Sequence, residues 1–158
     1  MKKKFVDAFM DCAERFAQLS HATRAKVGAI IVKDNRIISI GYNGMPSGWD
    51  NECEDWVPHD GVRFQVHEQD RDIYGVYKTK PEVLHAETNA IAKVAQSNES
   101  SKGAELFCTH LPCIECAKLI HQSGIITVYY RDEYRSAKGA GKQFLINSGI
   151  EVKHVKRD

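Results

Sequence analysis

Phe5, Phe9, Cys12, Phe16 and Leu19 recur at spacings of four and three, which predicts a helix from about 4 to 20 with one apolar stripe. The run Val27 to Val32 is apolar and rich in β-branched residues. It breaks at Lys33-Asp34-Asn35-Arg36 and resumes at Ile37 to Ile40, the pattern of two strands joined by a polar turn. From about 43 to 83 the periodicity is lost among Gly44, Pro46, Gly48, Pro58, Gly61, Gly75 and Pro81. So long an irregular stretch inside a compact domain is usually functional or disordered, and Trp49 and Trp56 favour partial packing. Order returns at His85. Ala86, Ala90, Ile91, Val94 and Ala95 form a helical apolar face, 106–108 reads as a strand and 113–122 as a helix. A strand over 125–130, a helix over about 136–148 and a strand over 150–155 follow. Strands alternating with helices in this half predict a largely parallel sheet covered by helices, in an α/β fold. There is no repeat and no sign of a second domain, so 1–158 reads as one domain with 44–83 as an irregular insertion.

Composition narrows the function. At 158 residues, 42% hydrophobic and 27% charged, the chain is an ordinary globular one. Lys and Arg total 22 against 21 Asp and Glu. A net charge of +1 argues against a partner such as bulk nucleic acid, while leaving room for one small anion site. No apolar run approaches the ~18 residues of a membrane helix, and the basic start Met1 to Lys4 is not followed by a signal-like apolar segment. Five unevenly spaced cysteines then suggest a reducing cytoplasm, with cysteine used for metal or chemistry.

The chemistry concentrates in His85-Ala86-Glu87 and Pro112-Cys113-Ile114-Glu115-Cys116, each at the start of a predicted helix. Cys113 and Cys116 are three apart, so both thiolates share a helix face and can reach one ion. With His85 they make three ligands for Zn²⁺, leaving a fourth position for water. Glu87, two residues from His85, does not share its face. It suits a catalytic general acid–base role beside that water better than a ligand role. Cys-x-x-Cys alone would equally fit a structural zinc knuckle or a redox pair. Cys12, Cys53 and Cys108 are isolated, however, and H-x-E with P-C-x-x-C is the combination used by zinc deaminases of nucleobases.

These motifs resemble the cytidine/deoxycytidylate deaminase superfamily. The loop Gly41-Tyr42-Asn43-Gly44-Met45-Pro46-Ser47-Gly48 is similar to that of its deoxycytidylate (dCMP) deaminase branch, as are Arg24 to Ala29 and Cys116 to Ile120. The resemblance covers about 5 to 155. It implies a three-layer α/β/α cytidine-deaminase-like fold with a mixed five-stranded sheet. It also implies zinc-dependent hydrolysis of dCMP to dUMP and ammonia, supplying dUMP for thymidylate synthesis. By that resemblance Asn43 binds the deoxyribose hydroxyl, the alternative being an asparagine that tolerates a left-handed turn before Gly44. Backbone groups of Ala86 and around Thr109–Leu111 hold the pyrimidine. Arg24 and Lys26 are candidates for the 5′-phosphate, against the bland reading of solvated loop charges, and Tyr130, Arg131 and Arg135 are candidates to assist. The resemblance further implies a homohexamer that dCTP activates and dTTP inhibits, with Mg²⁺ accompanying the nucleotide effector. Asp50, Glu52, Glu54, Asp55 and Asp60 form an acidic stretch without Lys or Arg, read as a metal-bridged effector site or as a solvated loop. Relatives with a second, structural zinc carry a Cys where this chain has Ala22; Cys53 and His67 would be its remnants. The competing functions are deamination of a nucleoside or of a base in nucleic acid, and a zinc-stabilised binding module without activity.

Overall fold

A computed structural model describes residues 1–58, 75–133 and 141–157. The helices are α1 (Lys3–Ala17), α2 (Ala86–Ala95), α3 (Ile114–Gln122) and α4 (Lys142–Asn147). The strands are β1 (Gly28–Lys33), β2 (Arg36–Tyr42), β3 (Glu54–Pro58), β4 (Gly75–Thr79), β5 (Glu105–His110), β6 (Thr127–Asp132) and β7 (Glu151–His154).

The polar break at 33–36 is a tight hairpin. Asp34 and Asn35 take φ of 51° and 56°, the left-handed geometry of a two-residue turn that matches strand twist. β1 is buried on both faces, which is why it reads as continuous apolar sequence. Its side chains alternate between two cores. Ile30 and Val32 meet Phe107, Tyr129 and Met10 of α1 on one face. Ala29 and Ile31 meet Leu106, Ile91 of α2, Ile120 of α3 and Leu145 of α4 on the other. One helix on one face and three on the other make the three-layer α/β/α arrangement.

The five-stranded sheet runs β2-β1-β5-β6-β7. It is mixed, where strand–helix alternation alone suggested a largely parallel one. β1 pairs antiparallel with both β2 and β5, and the parallel pairings are β5 with β6 and β6 with β7. The crossover through α2 carries the chain from β2 past β1, so β5 runs parallel to β2 with β1 between them. The edge strand β2 is bound to α2. Lys93 Nζ and Asn89 Nδ2 donate to the carbonyls of Ile40 and Tyr42 at 3.0 and 2.8 Å.

Within the segment that looked irregular, β3 and β4 pair antiparallel, with Glu54 opposite Thr79 and Trp56 opposite Tyr77. Most of their side chains reach solvent, so no apolar alternation advertises them. The Trp56 indole lies over Gly75, where a Cβ would collide with the ring. Trp49, expected to pack, is 57% exposed.

Arg131, suggested as a phosphate assistant, is buried on the far face of the sheet. It donates to Glu14 of α1 at 3.1 Å and to the carbonyls of Val155 and Lys156. Arg157 extends this network with hydrogen bonds to both carboxylate oxygens of Asp132, at 2.6 and 2.9 Å. That contact holds the Asp132 carboxyl below the usual carboxylate range. A depressed folded pKa contributes stability above the unfolded value of about 4, and the contribution is lost as pH falls through the folded value. Asp132→Asn is therefore expected to lower stability slightly at pH 7 and to leave it unchanged at the lowest pH. Paired thermal melts across that range measure the difference; equal offsets at both ends would remove Asp132 from acid sensitivity.

Candidate active site

The three metal-ligand candidates meet because two helices start at one place. His85 is the N-cap of α2 and Cys113 the N-cap of α3, and Cys116 lies one turn into α3. His85 Nδ1 is 3.7 Å from Cys113 Sγ and 3.3 Å from Cys116 Sγ. Zinc with bonds of about 2.0–2.1 Å to nitrogen and 2.3 Å to sulfur holds such atoms about 3.5 Å apart at tetrahedral angles. The spacing and the donor set both fit that ion. Among the described residues this is the only group of three such side chains within reach of one metal. The Cys113 thiol is held well below its usual range by the hydrogen bond from Cys116, while its role as donor and its burial push Cys116 up.

Glu87, in the first turn of α2, is 4% exposed. Its carboxyl lies beside the thiols of Cys116 and Cys108, and burial pushes it above the usual carboxylate range against the pull of its own N–H. Cys108 itself is a fully buried strand residue of β5. The pose of α2 depends on Gly41 of β2, where a Cβ would collide with the Ala86 carbonyl and lie 2.7 Å from Ala90 N.

These groups open into a cleft with a cavity volume of about 180 Å³. Arg24, Asn43, His85, Ala86, Glu87 and Cys113 all lie on its wall, as does Leu111. Asn43 is not in the left-handed region, so the turn explanation for it is set aside. Its carboxamide braces the loop before β1, accepting from Val27 N at 2.8 Å and donating to the Ala25 carbonyl at 2.8 Å. That uses one lone pair and one N–H, and a carboxamide has two of each.

Three candidates do not reach this wall. Lys26 is exposed beside the cleft. The Thr109 hydroxyl accepts from Gly28 N at 3.1 Å, inside the sheet. Tyr130 is buried, with its hydroxyl donating to Glu133 at 2.6 Å and accepting from Lys142 at 2.8 Å. Arg135 lies outside the described residues.

The cleft also holds residues not anticipated. His110 lines it, with its ring 3.1 Å from the Thr109 hydroxyl, and burial holds its pKa down. Period two from the buried Leu106 and Cys108 was the available signal for it. Glu54 and Thr79 line the cleft as well; the sequence marked Glu54 only as one member of the acidic stretch, and nothing in the linear pattern marked Thr79.

In the described acidic stretch, Glu52 and Asp55 pair with Lys80 at 3.8 and 3.6 Å, and Glu54 accepts from two backbone N–H groups. Those side chains form no group suited to Mg²⁺; Asp60 lies outside the described residues. Cys53 packs with Ala22 and Val83 in a small apolar cluster, its thiol pushed up by burial. His67, its suggested partner, also lies outside the described residues. No helix among the described residues is long and apolar enough to cross a membrane.

A family model for the cytidine and deoxycytidylate deaminase zinc-binding region matches residues 3–132. The deoxycytidylate deaminase of Enterobacteria phage T4 is 36% identical over 162 residues, covering 88% of this chain and 83% of its own. That of Homo sapiens is 37% identical over 135 residues, covering 84% and 67%. The crystal structure of dCMP deaminase from the cyanophage S-TIM5, in complex with dCMP and dUMP, superposes with a TM-score of 0.81 at 44% identity, covering 98% of this chain and 99% of that one.

Proposed function

The chain belongs to the cytidine and deoxycytidylate deaminase family, and from that premise we propose that it hydrolyses dCMP to dUMP and ammonia, supplying dUMP for thymidylate synthesis. The observation that carries this reading is one cleft whose wall holds His85, Cys113 and Glu87 together with Asn43 and Arg24. His85, Cys113 and Cys116 would hold the zinc, which supplies a water acidic enough to be ionised near neutral pH, with a pKa of about 7.

Glu87 takes the proton from the attacking water and delivers it to ring N3, which makes C4 electrophilic. Once the hydroxyl has added to C4, Glu87 takes that group's remaining proton and passes it to the amine; the C4–N bond breaks, the C4 oxygen becomes the carbonyl of dUMP and ammonia leaves. Burial of Glu87 keeps bulk water from competing for that proton. Backbone groups of Ala86 and Leu111 hold the pyrimidine edge, and the remaining N–H and lone pair of Asn43 meet the deoxyribose hydroxyl. The Arg24 guanidinium takes the 5′-phosphate, for which its planar fork is suited.

Turnover of dCMP, deoxycytidine and a single-stranded oligonucleotide, compared side by side, tests the substrate. dCMP is expected to have the highest kcat/KM; faster turnover of either other substrate rejects the reading. The family resemblance extends the proposal to a homohexamer activated by dCTP and inhibited by dTTP. Sigmoidal dCMP kinetics made hyperbolic by dCTP are the expected sign, and kinetics indifferent to both nucleotides remove this regulation while leaving the catalytic reading in place.

A further inference from the structure

Glu54 and Thr79 are directly opposite one another in the β3–β4 ladder, so their side chains leave the same face of that small sheet. Both lie on the cleft wall, and both are bound to Arg24. Glu54 Oε1 accepts from the backbone N–H of Thr23 at 3.1 Å and of Arg24 at 3.2 Å. Thr79 Oγ1 accepts from Arg24 Nη1 at 3.2 Å. One rung of the ladder thus holds the arginine twice, at its backbone and at its head group. Two N–H dipoles converge on one carboxylate oxygen, which offsets its repulsion of a neighbouring anion.

Arg24 otherwise sits in a loop, and a long exposed side chain loses conformational entropy when it must hold one pose. Fixing it in advance lowers that cost at the moment of binding. We propose that Glu54 and Thr79 are positioning residues that pre-set Arg24 for the 5′-phosphate of the substrate, so that the β3–β4 hairpin determines preference for a nucleotide over a nucleoside. This rests on the reading of the cleft as a dCMP site with Arg24 at the phosphate. It gives part of the unpatterned segment a role in substrate choice distinct from effector binding.

Steady-state kinetics of the zinc-loaded full chain with dCMP and deoxycytidine test it. Glu54→Ala is expected to raise KM for dCMP about 10-fold, the scale of a lost charge-assisted hydrogen bond, with kcat within about 2-fold. Its kcat/KM for deoxycytidine should change far less. Glu54→Gln keeps an acceptor oxygen and should recover most of the dCMP affinity. Thr79→Val, which conserves shape, should raise the same KM by a smaller factor and covers the case in which Glu54→Ala folds poorly. Arg24→Ala should abolish the preference for dCMP, and adding Glu54→Ala to it should cost dCMP nothing more. A proportional loss on both substrates, or an undiminished Glu54→Ala effect without Arg24, overturns the positioning role. Retained dCMP preference in Arg24→Ala overturns it too, by removing Arg24 from the phosphate while leaving dCMP deamination standing. A wild-type enzyme that turns over deoxycytidine as well as dCMP overturns the substrate reading itself.

Discussion

Glu87→Gln is expected to bind zinc as the wild type does, to unfold at the same temperature or higher, and to lose at least about 10²-fold in kcat. Glutamine has the same shape as the carboxylate and can still accept from the Glu87 position's own N–H, so the first turn of α2 need not change. It cannot take a proton from water or pass one to N3 and the amine. Glu87 is almost fully buried, and glutamine there removes a charge from a site that disfavours charge. Zinc analysis, a thermal melt and single-turnover kinetics on the same preparation separate these effects. Wild-type kcat would take Glu87 out of the mechanism. Loss of zinc along with activity would make it a support of the metal site instead.

Gly41→Ala should be the most damaging change outside the ligands and Glu87. The added Cβ collides with the Ala86 carbonyl and lies 2.7 Å from Ala90 N. Both atoms are helix backbone, so relief requires moving α2, and with it His85 and Glu87. Overpacking of this kind costs about 1–3 kcal/mol, and a displacement of even ~1 Å in a catalytic array costs about 10²-fold in rate. Gly44→Ala is the stability control, because a Cβ there meets nothing within 4 Å. A normal melting temperature and normal zinc content in Gly41→Ala would show that α2 is held in place by other contacts.

The metal candidates were legible because their geometry is local. Each sits at or within one turn of a helix start, so spacing along the chain already fixes which side chains converge. The strands of the large sheet were legible for a similar reason: β1, β5 and β6 are apolar runs buried on both faces. Direction was not. Nothing in the run Val27 to Val32 says that its neighbour beyond β2 is β5, about 75 residues later, running the opposite way. Side-chain destinations depend on that pairing. Period two sends Thr109 with Phe107 toward α1 and His110 with Cys108 toward the cleft, a distinction that only a fixed register makes usable. Tyr130 shares a face with Val128, but Glu133 and Lys142 claim its hydroxyl. Glu54 looked like one member of an acidic run. Its proposed role rests on pairing with Thr79 and on two N–H groups about 30 residues away in the chain.

The hydrogen bonds from α2 to the outer side of β2 have a consequence for life in a crowded solution. An edge strand of seven residues with unmet carbonyls is a template on which another chain can add a strand, the first step of aggregation. Lys93 and Asn89 occupy the carbonyls of Ile40 and Tyr42 at that edge, and Lys93 also sets a hydrated positive charge in the path of an incoming strand. The helix that carries Glu87 on one side thus serves on another as a guard against strand addition at the β2 edge.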